Sequence, residues 1–289
     1  MMLTWGEGII FLCGIILRKL RITMSSKQLI WILLPLLFSC RKHKDLYPDT
    51  IIGGHACAGL HISSSNYHDN SLEAYKYARS FETVLLIEVD AQLSSDGTLW
   101  LFHDPELDIE STGTGSVSQK DDAYLSGLKY KSLEHERLIR LSDLPADLKG
   151  IRLLIDLKES DGTASGLIDS TKLIIALNQA KEYFYNGDLG VVTDTGRFLS
   201  TIKGLGFKIY YNAVNAAQFL NYPTMSIVDG VVFRNSEIAV SDVNSVKSFG
   251  KKVIIYDVRS PKGIKSALDK TPDYLMTDDI KATLIEKYK

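Results

Sequence analysis

A chain of 289 residues has room for one large domain, and α/β barrels commonly reach this size as a single unit. An apolar share of 45% and a charged share of 24% exclude a disordered or low-complexity chain and allow a full-sized core. The formal net charge of −2, with no Lys/Arg cluster interleaved with aromatics, excludes nucleic acid as the expected partner.

Apolar residues concentrate at 9–17 and 29–38, each run shorter than the roughly 20 residues a membrane-spanning helix needs. The second follows Met24, Ser25, Ser26 and Lys27, a short positive segment before an apolar one, as in a secretory signal. It ends in Leu37-Phe38-Ser39-Cys40, which resembles the lipobox of bacterial lipoproteins. Residues 1–39 are therefore expected to be a leader, with a start at Met24 giving the more ordinary length. Cys40 is the expected lipidation site, holding the protein to a membrane of the bacterial cell envelope on its periplasmic or outer face. Residues 40–48 read as a tether and 49–289 as one folded domain, more acidic than the whole because the leader carries four basic residues against Glu7. With Cys13 in the leader and Cys40 acylated, Cys57 has no disulfide partner and reads as a small buried residue.

From residue 51 onward, short β-branched runs alternate with stretches of helical spacing, the pattern of βα units and a parallel sheet. Strands are expected at 51–54, 84–89, 152–157, 189–192, 208–211, 230–233, 252–256 and 274–276. Helices are expected at 71–79, 168–180, 197–205, 213–220, 240–249 and 261–268. The pair 91–93 and 99–102, joined by Ser94-Ser95-Asp96-Gly97-Thr98, reads as a small β-hairpin inserted after the second strand. Eight such units predict a closed (β/α)8 TIM barrel, with an open doubly wound sheet as the alternative.

The reacting groups of such a barrel come from the carboxyl ends of its strands. Here those ends carry His55, then Glu88 and Asp90, then His103 and Asp104 after the hairpin, then Asp156 and Lys158. Glu88 and Asp90 lie two apart and so share one face of a strand. Two carboxylates aimed together into a barrel repel unless a cation lies between them. With Asp156 they make an all-oxygen set that suits a hard divalent ion, Ca²⁺ or Mg²⁺.

The ordered segments Gly54-His55, Asn70-Ser71-Leu72-Glu73-Ala74-Tyr75, Ile87-Glu88-Val89-Asp90, Ser95-Asp96-Gly97, Phe102-His103-Asp104 and Leu107-Asp108 resemble those of glycerophosphodiester phosphodiesterases. So do Thr112-Gly113-Thr114-Gly115-Ser116-Val117, Ile155-Asp156-Leu157-Lys158, and the late segments at 254–258 and 275–278. The resemblance implies the barrel, the hairpin, a divalent metal on Glu88, Asp90 and Asp156, and two catalytic histidines, His55 and His103. Lys158 and Tyr256 would bind the substrate. The reaction implied is metal-dependent hydrolysis of a glycerophosphodiester to an alcohol and glycerol 3-phosphate. One imidazole would take a proton as the other gives one, with either order open. No protein partner is implied.

The sequence departs from the family pattern at four places, one being His68-Asp69-Asn70, which stands for Pro-Glu-Asn after a longer first loop. Ala56 stands where the family has Arg, with Arg234 and Arg259 as candidate replacements; Asp156 stands for Glu; and Thr193-Asp194 stands for Ser-Phe. His61, His68 and His135 read as loop or surface residues. The missing Arg motivates an alternative, a non-catalytic phosphoglycerol-binding lipoprotein. A further alternative is a related phosphodiesterase or lyase that releases a cyclic phosphate.

Overall fold

Alternation of side chains along ten strands decides the architecture. In a computed structural model residues 44–62, 65–159, 168–222 and 225–289 are described. The expected leader and Cys40 lie outside the described residues. In chain order the main elements are β1 (Ile51–Gly54), α1 (Leu72–Arg79), β2 (Val84–Leu93), β3 (Leu99–Leu101), α2 (Asp122–Ser126), β4 (Ile139–Arg140) and β5 (Arg152–Leu157). There follow α3 (Ser170–Tyr183), β6 (Asp188–Thr193), α4 (Leu199–Gly204), β7 (Lys208–Asn212), α5 (Ala216–Leu220) and β8 (Gly230–Arg234). The chain ends with α6 (Val240–Ser248), β9 (Lys252–Tyr256), α7 (Pro261–Asp269), β10 (Tyr274–Thr277) and α8 (Ile280–Lys287).

β1, β2 and β5 to β10 run parallel, and β1 pairs with both β2 and β10, so the eight strands close into a (β/α)8 barrel. The open doubly wound alternative is thereby excluded. On β2, Ile87, Val89, Ala91 and Leu93 pack outward in the core shared with the helices, while Leu86 joins an inner layer with Leu154, Val192, Tyr210, Val232 and Ile254. By the same period of two, Glu88 and Asp90 continue the inward face above Leu86. Below that layer the Arg152 guanidinium donates to the Tyr210 hydroxyl at 2.9 Å and also to that of Tyr274. Helix starts are capped as their sequences dictate: the side chains of Ser71, Asp169, Asn215, Ser260 and Asp279 accept N–H groups of the first turn.

The insertion is larger than the predicted hairpin. β2 runs unbroken from the barrel wall into the antiparallel pairing with β3, and β4 adds a third strand on the far side of β3. Residues between them form a core of their own, with Trp100, Phe102, Leu107, Val117, Leu125, Leu128, Tyr130 and Leu138. The sequence reading also missed α2 and α8. α2 has only five residues, too few for a helical period to register. Among the described residues no helix is long and apolar enough to cross a membrane.

Asp122 clasps the hairpin. Its carboxylate accepts from Ser94 Oγ at 2.8 Å, Thr98 Oγ1 at 2.6 Å and Trp100 Nε1 at 2.8 Å. Burial alone would raise its pKa, but these hydrogen bonds outweigh burial and hold it below the usual aspartate value. A depressed carboxyl contributes stability that is present above its unfolded pKa and lost as pH falls through the folded one. Asp122→Ala is therefore expected to cost about 2 kcal/mol at neutral pH. Asp122→Asn should flatten the acid limb of stability below about pH 4, read from urea midpoints against pH; an unchanged limb would refute the clasp.

Candidate active site

β1 enters the mouth through two glycines that admit no side chain. A Cβ on Gly54 would meet the Cys57 carbonyl oxygen at 1.8 Å, and one on Gly53 would meet Leu86 Cδ2 at 2.3 Å. Beyond them the chain turns through left-handed backbone at Ala56 (φ 44°) and Cys57 (φ 74°). The turn aims the Ala56 N–H at Glu88 Oε2, 2.6 Å away, and the Cys57 N–H at the Glu88 carbonyl, 2.7 Å away. Cys57 is fully buried, as the sequence reading expected of it, and burial pushes its thiol pKa well up.

Strand register brings the three acids together. Asp90 and Asp156 are partners across the parallel β2–β5 pairing, and Glu88 stands two residues below Asp90 on the same face. One carboxylate oxygen from each of Glu88, Asp90 and Asp156 lies within 4.8 Å of the others. The Lys158 ammonium reaches between two of them, 2.8 Å from Asp90 Oδ1 and 2.7 Å from Asp156 Oδ2. Burial, and then the charge of Asp90, pushes Glu88 well above the usual carboxyl range, and burial also raises Asp156. Burial would raise Asp90 too, but Lys158 and His103 overcome it and hold Asp90 at about 2. Glu88 Oε1 is buried with no hydrogen-bond partner among the described residues. An orphaned carboxylate oxygen in an all-oxygen cluster is what a hard divalent cation would satisfy, so these residues fit such an ion.

Both predicted imidazoles stand at this mouth, each braced by a carboxylate. His55 Nδ1 donates to Asp278 Oδ1 at 2.8 Å, and His103 Nδ1 donates to Asp104 Oδ1 at 2.9 Å. Bracing at Nδ1 leaves each Nε2 as the working nitrogen. Burial would depress His55, but the Asp278 hydrogen bond and the charges of Glu88, Asp278 and Asp90 outweigh it and raise the imidazole to about 9. Tyr256 lies edge-on to His55 with ring centroids 5.7 Å apart, and its other neighbour is the Arg234 guanidinium, 5.3 Å from the ring centre. Arg234 and Arg259, the candidates to replace the missing Arg, are both held by Asp257, a residue at φ 61°. Arg259 Nε also stands 3.5 Å from Asp278 Oδ2. A cavity of about 440 Å³ opens beside His103 and Lys158, with Gln92, Asp156, Asp194 and Arg197 also in its wall. At its edge Glu159, buried, accepts from the hydroxyls of Thr193 and Thr195.

Three residues that the sequence reading gave no site role support the acids and imidazoles. Asn70 donates from Nδ2 to Asp90 Oδ2 at 2.8 Å and accepts the Asp90 N–H at 2.9 Å, locking that carboxylate. Gln92 donates to the carbonyls of Phe102 and Asp104, fixing the peptide units on either side of His103. Asp278 follows the last barrel strand, and its end-of-strand position was the available signal. His61 and His68 lie in the loop after β1, as expected of them, and His61 is exposed, but each has a partner at the mouth. His61 packs edge-on against His103 with centroids 5.0 Å apart, and His68 stacks on buried Tyr130 at 3.8 Å.

Residues 63–171, which carry Glu88, Asp90, His103, Asp156 and Lys158, match the model of the Glycerophosphoryl diester phosphodiesterase family. The matched segment is similar to that family and supplies three of the strand ends that gather these acids and imidazoles. Among solved structures, a putative glycerophosphoryl diester phosphodiesterase of Agrobacterium tumefaciens is 14% identical at a TM-score of 0.69, covering 82% of this chain and 97% of that one. A phosphodiesterase of Oleispira antarctica, solved with the product sn-glycerol-3-phosphate, is 20% identical at a TM-score of 0.69, covering 81% and 95%. A glycerophosphoryl diester phosphodiesterase of Parabacteroides distasonis is 17% identical at a TM-score of 0.62, covering 84% and 88%. At such identities the likeness is one of fold. No curated protein sequence matches the chain.

The Asp278 brace has a measurable signature. A raised histidine contributes stability that is fully present below its unfolded pKa, 6.5, and lost as pH rises through about 9. In chelator-treated protein, Asp278→Asn should move the His55 titration seen by NMR from about 9 toward 6.5 or below. The same variant should lose the alkaline fall in stability; a His55 midpoint that stays put would exclude the brace.

Proposed function

We propose that the protein hydrolyses glycerophosphodiesters to an alcohol and glycerol 3-phosphate, with a divalent cation held by Glu88, Asp90 and Asp156. The observation that carries this reading is the pair of imidazoles, each tied through Nδ1 to its own carboxylate, beside a cluster that leaves Glu88 Oε1 unsatisfied. When bound, the cation would neutralise charge that grows on the phosphoryl oxygens.

The remaining work falls to the chain's own side chains. A glycerol ester brings a hydroxyl next to its phosphate, so attack within the substrate gains from proximity. One braced imidazole takes the hydroxyl proton as the other gives a proton to the departing alkoxide, and the roles reverse when water opens the cyclic phosphate. A cation among the carboxylates would release the Lys158 ammonium from Asp90 and Asp156 and free it for the phosphate. Tyr256 and the pair Arg234 and Arg259 form the wall on the His55 side, where the family has the Arg that Ala56 lacks. The cavity beside His103 has room for a small alcohol.

The sequence further supports an anchor on Cys40, which would hold the enzyme at the bacterial cell envelope. Mass spectrometry of the mature N-terminus tests that point.

The purified protein should release glycerol 3-phosphate from glycerophosphocholine or a related diester, and chelation should abolish turnover. Ca²⁺ or Mg²⁺ should restore it. His103→Ala is expected to lower kcat by about 10² to 10⁴. No product from a panel of diesters with any divalent ion would end the reading. A cyclic phosphate as the final product, seen by phosphorus NMR, would make the enzyme a lyase.

A further inference from the structure

His61 brings an imidazole to a second group of acids, of which the proposed reaction uses only Asp104, the brace of His103. Its backbone is left-handed at φ 51°, and its N–H donates to Asp69 Oδ2 at 2.9 Å. Its ring Nε2 lies 2.9 Å from Glu110 Oε1 and 3.7 Å from Asp104 Oδ1. Ligand atoms of His61, Asp69 and Glu110 all fall within 4.8 Å of one another. Asp69 is buried, and Glu110 Oε2 is wholly buried with no hydrogen-bond partner among the described residues.

The charge around this group is uncompensated. Among the described residues no Lys or Arg forms an ion pair with Asp69, Asp104 or Glu110; only imidazoles face them. At the first cluster the Lys158 ammonium relieves the same kind of crowding. Here burial, and then the charges of Asp69 and Asp104, pushes the Glu110 carboxyl up to about 7. A cation would remove the repulsion and satisfy the orphaned oxygen at once.

We propose that His61, Asp69 and Glu110 form a second divalent-cation site, distinct from the Glu88, Asp90 and Asp156 cluster. Its donor set differs in kind. One imidazole nitrogen and two carboxylates suit a borderline ion such as Zn²⁺ better than an all-oxygen set does, and they also accept Mn²⁺, which serves as a paramagnetic probe. The two sites are linked through Asn70, whose Nδ2 lies 2.8 Å from Asp90 Oδ2 and 3.5 Å from Asp69 Oδ1. The second site also adjoins the brace of His103, because Asp104 faces both His61 and His103.

Mn²⁺ on the chelator-stripped full chain separates the sites, because an all-oxygen site gives no nitrogen coupling in pulsed electron paramagnetic resonance. The double variant Glu88→Gln, Asp156→Asn should still bind one Mn²⁺ per chain, with imidazole nitrogen coupling. Adding His61→Ala should abolish that coupling and weaken binding at least tenfold. Glu110→Gln, close to isosteric, should weaken it likewise, with circular dichroism confirming the fold of each variant. Loss of all Mn²⁺ in the Glu88→Gln, Asp156→Asn variant would overturn the proposal, as would nitrogen coupling that survives His61→Ala. Neither result depends on turnover, so failure here is separable from failure of the phosphodiesterase reading.

Discussion

The structure of the mouth follows from one constraint: three carboxylates cannot share a barrel interior without positive charge among them. Burying an ionised carboxylate costs several kcal/mol unless it is paired, and Glu88 and Asp90 are nearly inaccessible. The fold compensates with what lies nearby. Lys158 bridges Asp90 and Asp156, and the N–H of Ala56 and the amide of Asn70 supply donors from the one segment between β1 and α1. Glu88 retains one oxygen that nothing satisfies. The chain thus accepts a local cost at the one point where its proposed chemistry requires a cation, while the layer beneath is built mainly of aliphatic side chains.

The barrel imposes this geometry with few degrees of freedom. Parallel register sets Asp90 opposite Asp156, and the period of two sets Glu88 below Asp90, so neither pair depends on a flexible loop. The imidazoles come from less regular segments and need bracing. His55 follows a glycine pair and a left-handed turn, and Asp278 from the end of β10 holds its ring. His103 follows β3, and its loop is tied back to β2 by Gln92, whose amide donates to two carbonyls flanking it. Rigid strands thus hold the carboxylates, and tethered loops hold the imidazoles.

Much of this was legible in the sequence because its strands alternate so plainly. The eight barrel strands run where the β-branched runs stand, and β5 and β9 begin and end at the expected residues. The reading failed where contacts are distant along the chain. Asn70 and Asp90 are 20 residues apart and His55 and Asp278 are 223 apart, and no local pattern announces either hydrogen bond. The hairpin was underestimated because its extra strand, Ile139–Arg140, has two residues and no period to detect. His61 and His68 stand in a loop, not at a strand end, so nothing local announces their neighbours in space, Glu110, His103 and Tyr130.

The departure at Ala56 is where sequence and structure inform each other most. An Arg there would bring its own cation to the mouth, yet in this chain position 56 is wholly buried and contributes only backbone groups, its N–H to Glu88 and its carbonyl to the Asn70 N–H. Positive charge near His55 comes instead from Arg234, beside Tyr256, and Arg259, beside Asp278, both tied to Asp257. These are guanidinium groups, so planar bidentate recognition of a phosphate is retained in kind. They are also half exposed, and each is already paired with a carboxylate. A phosphate would have to compete with Asp257 for them, and its binding would therefore depend more on charge supplied at the carboxylate cluster than it would with a free Arg at position 56. The substitution at one strand end thus increases the demand on the cation at the next.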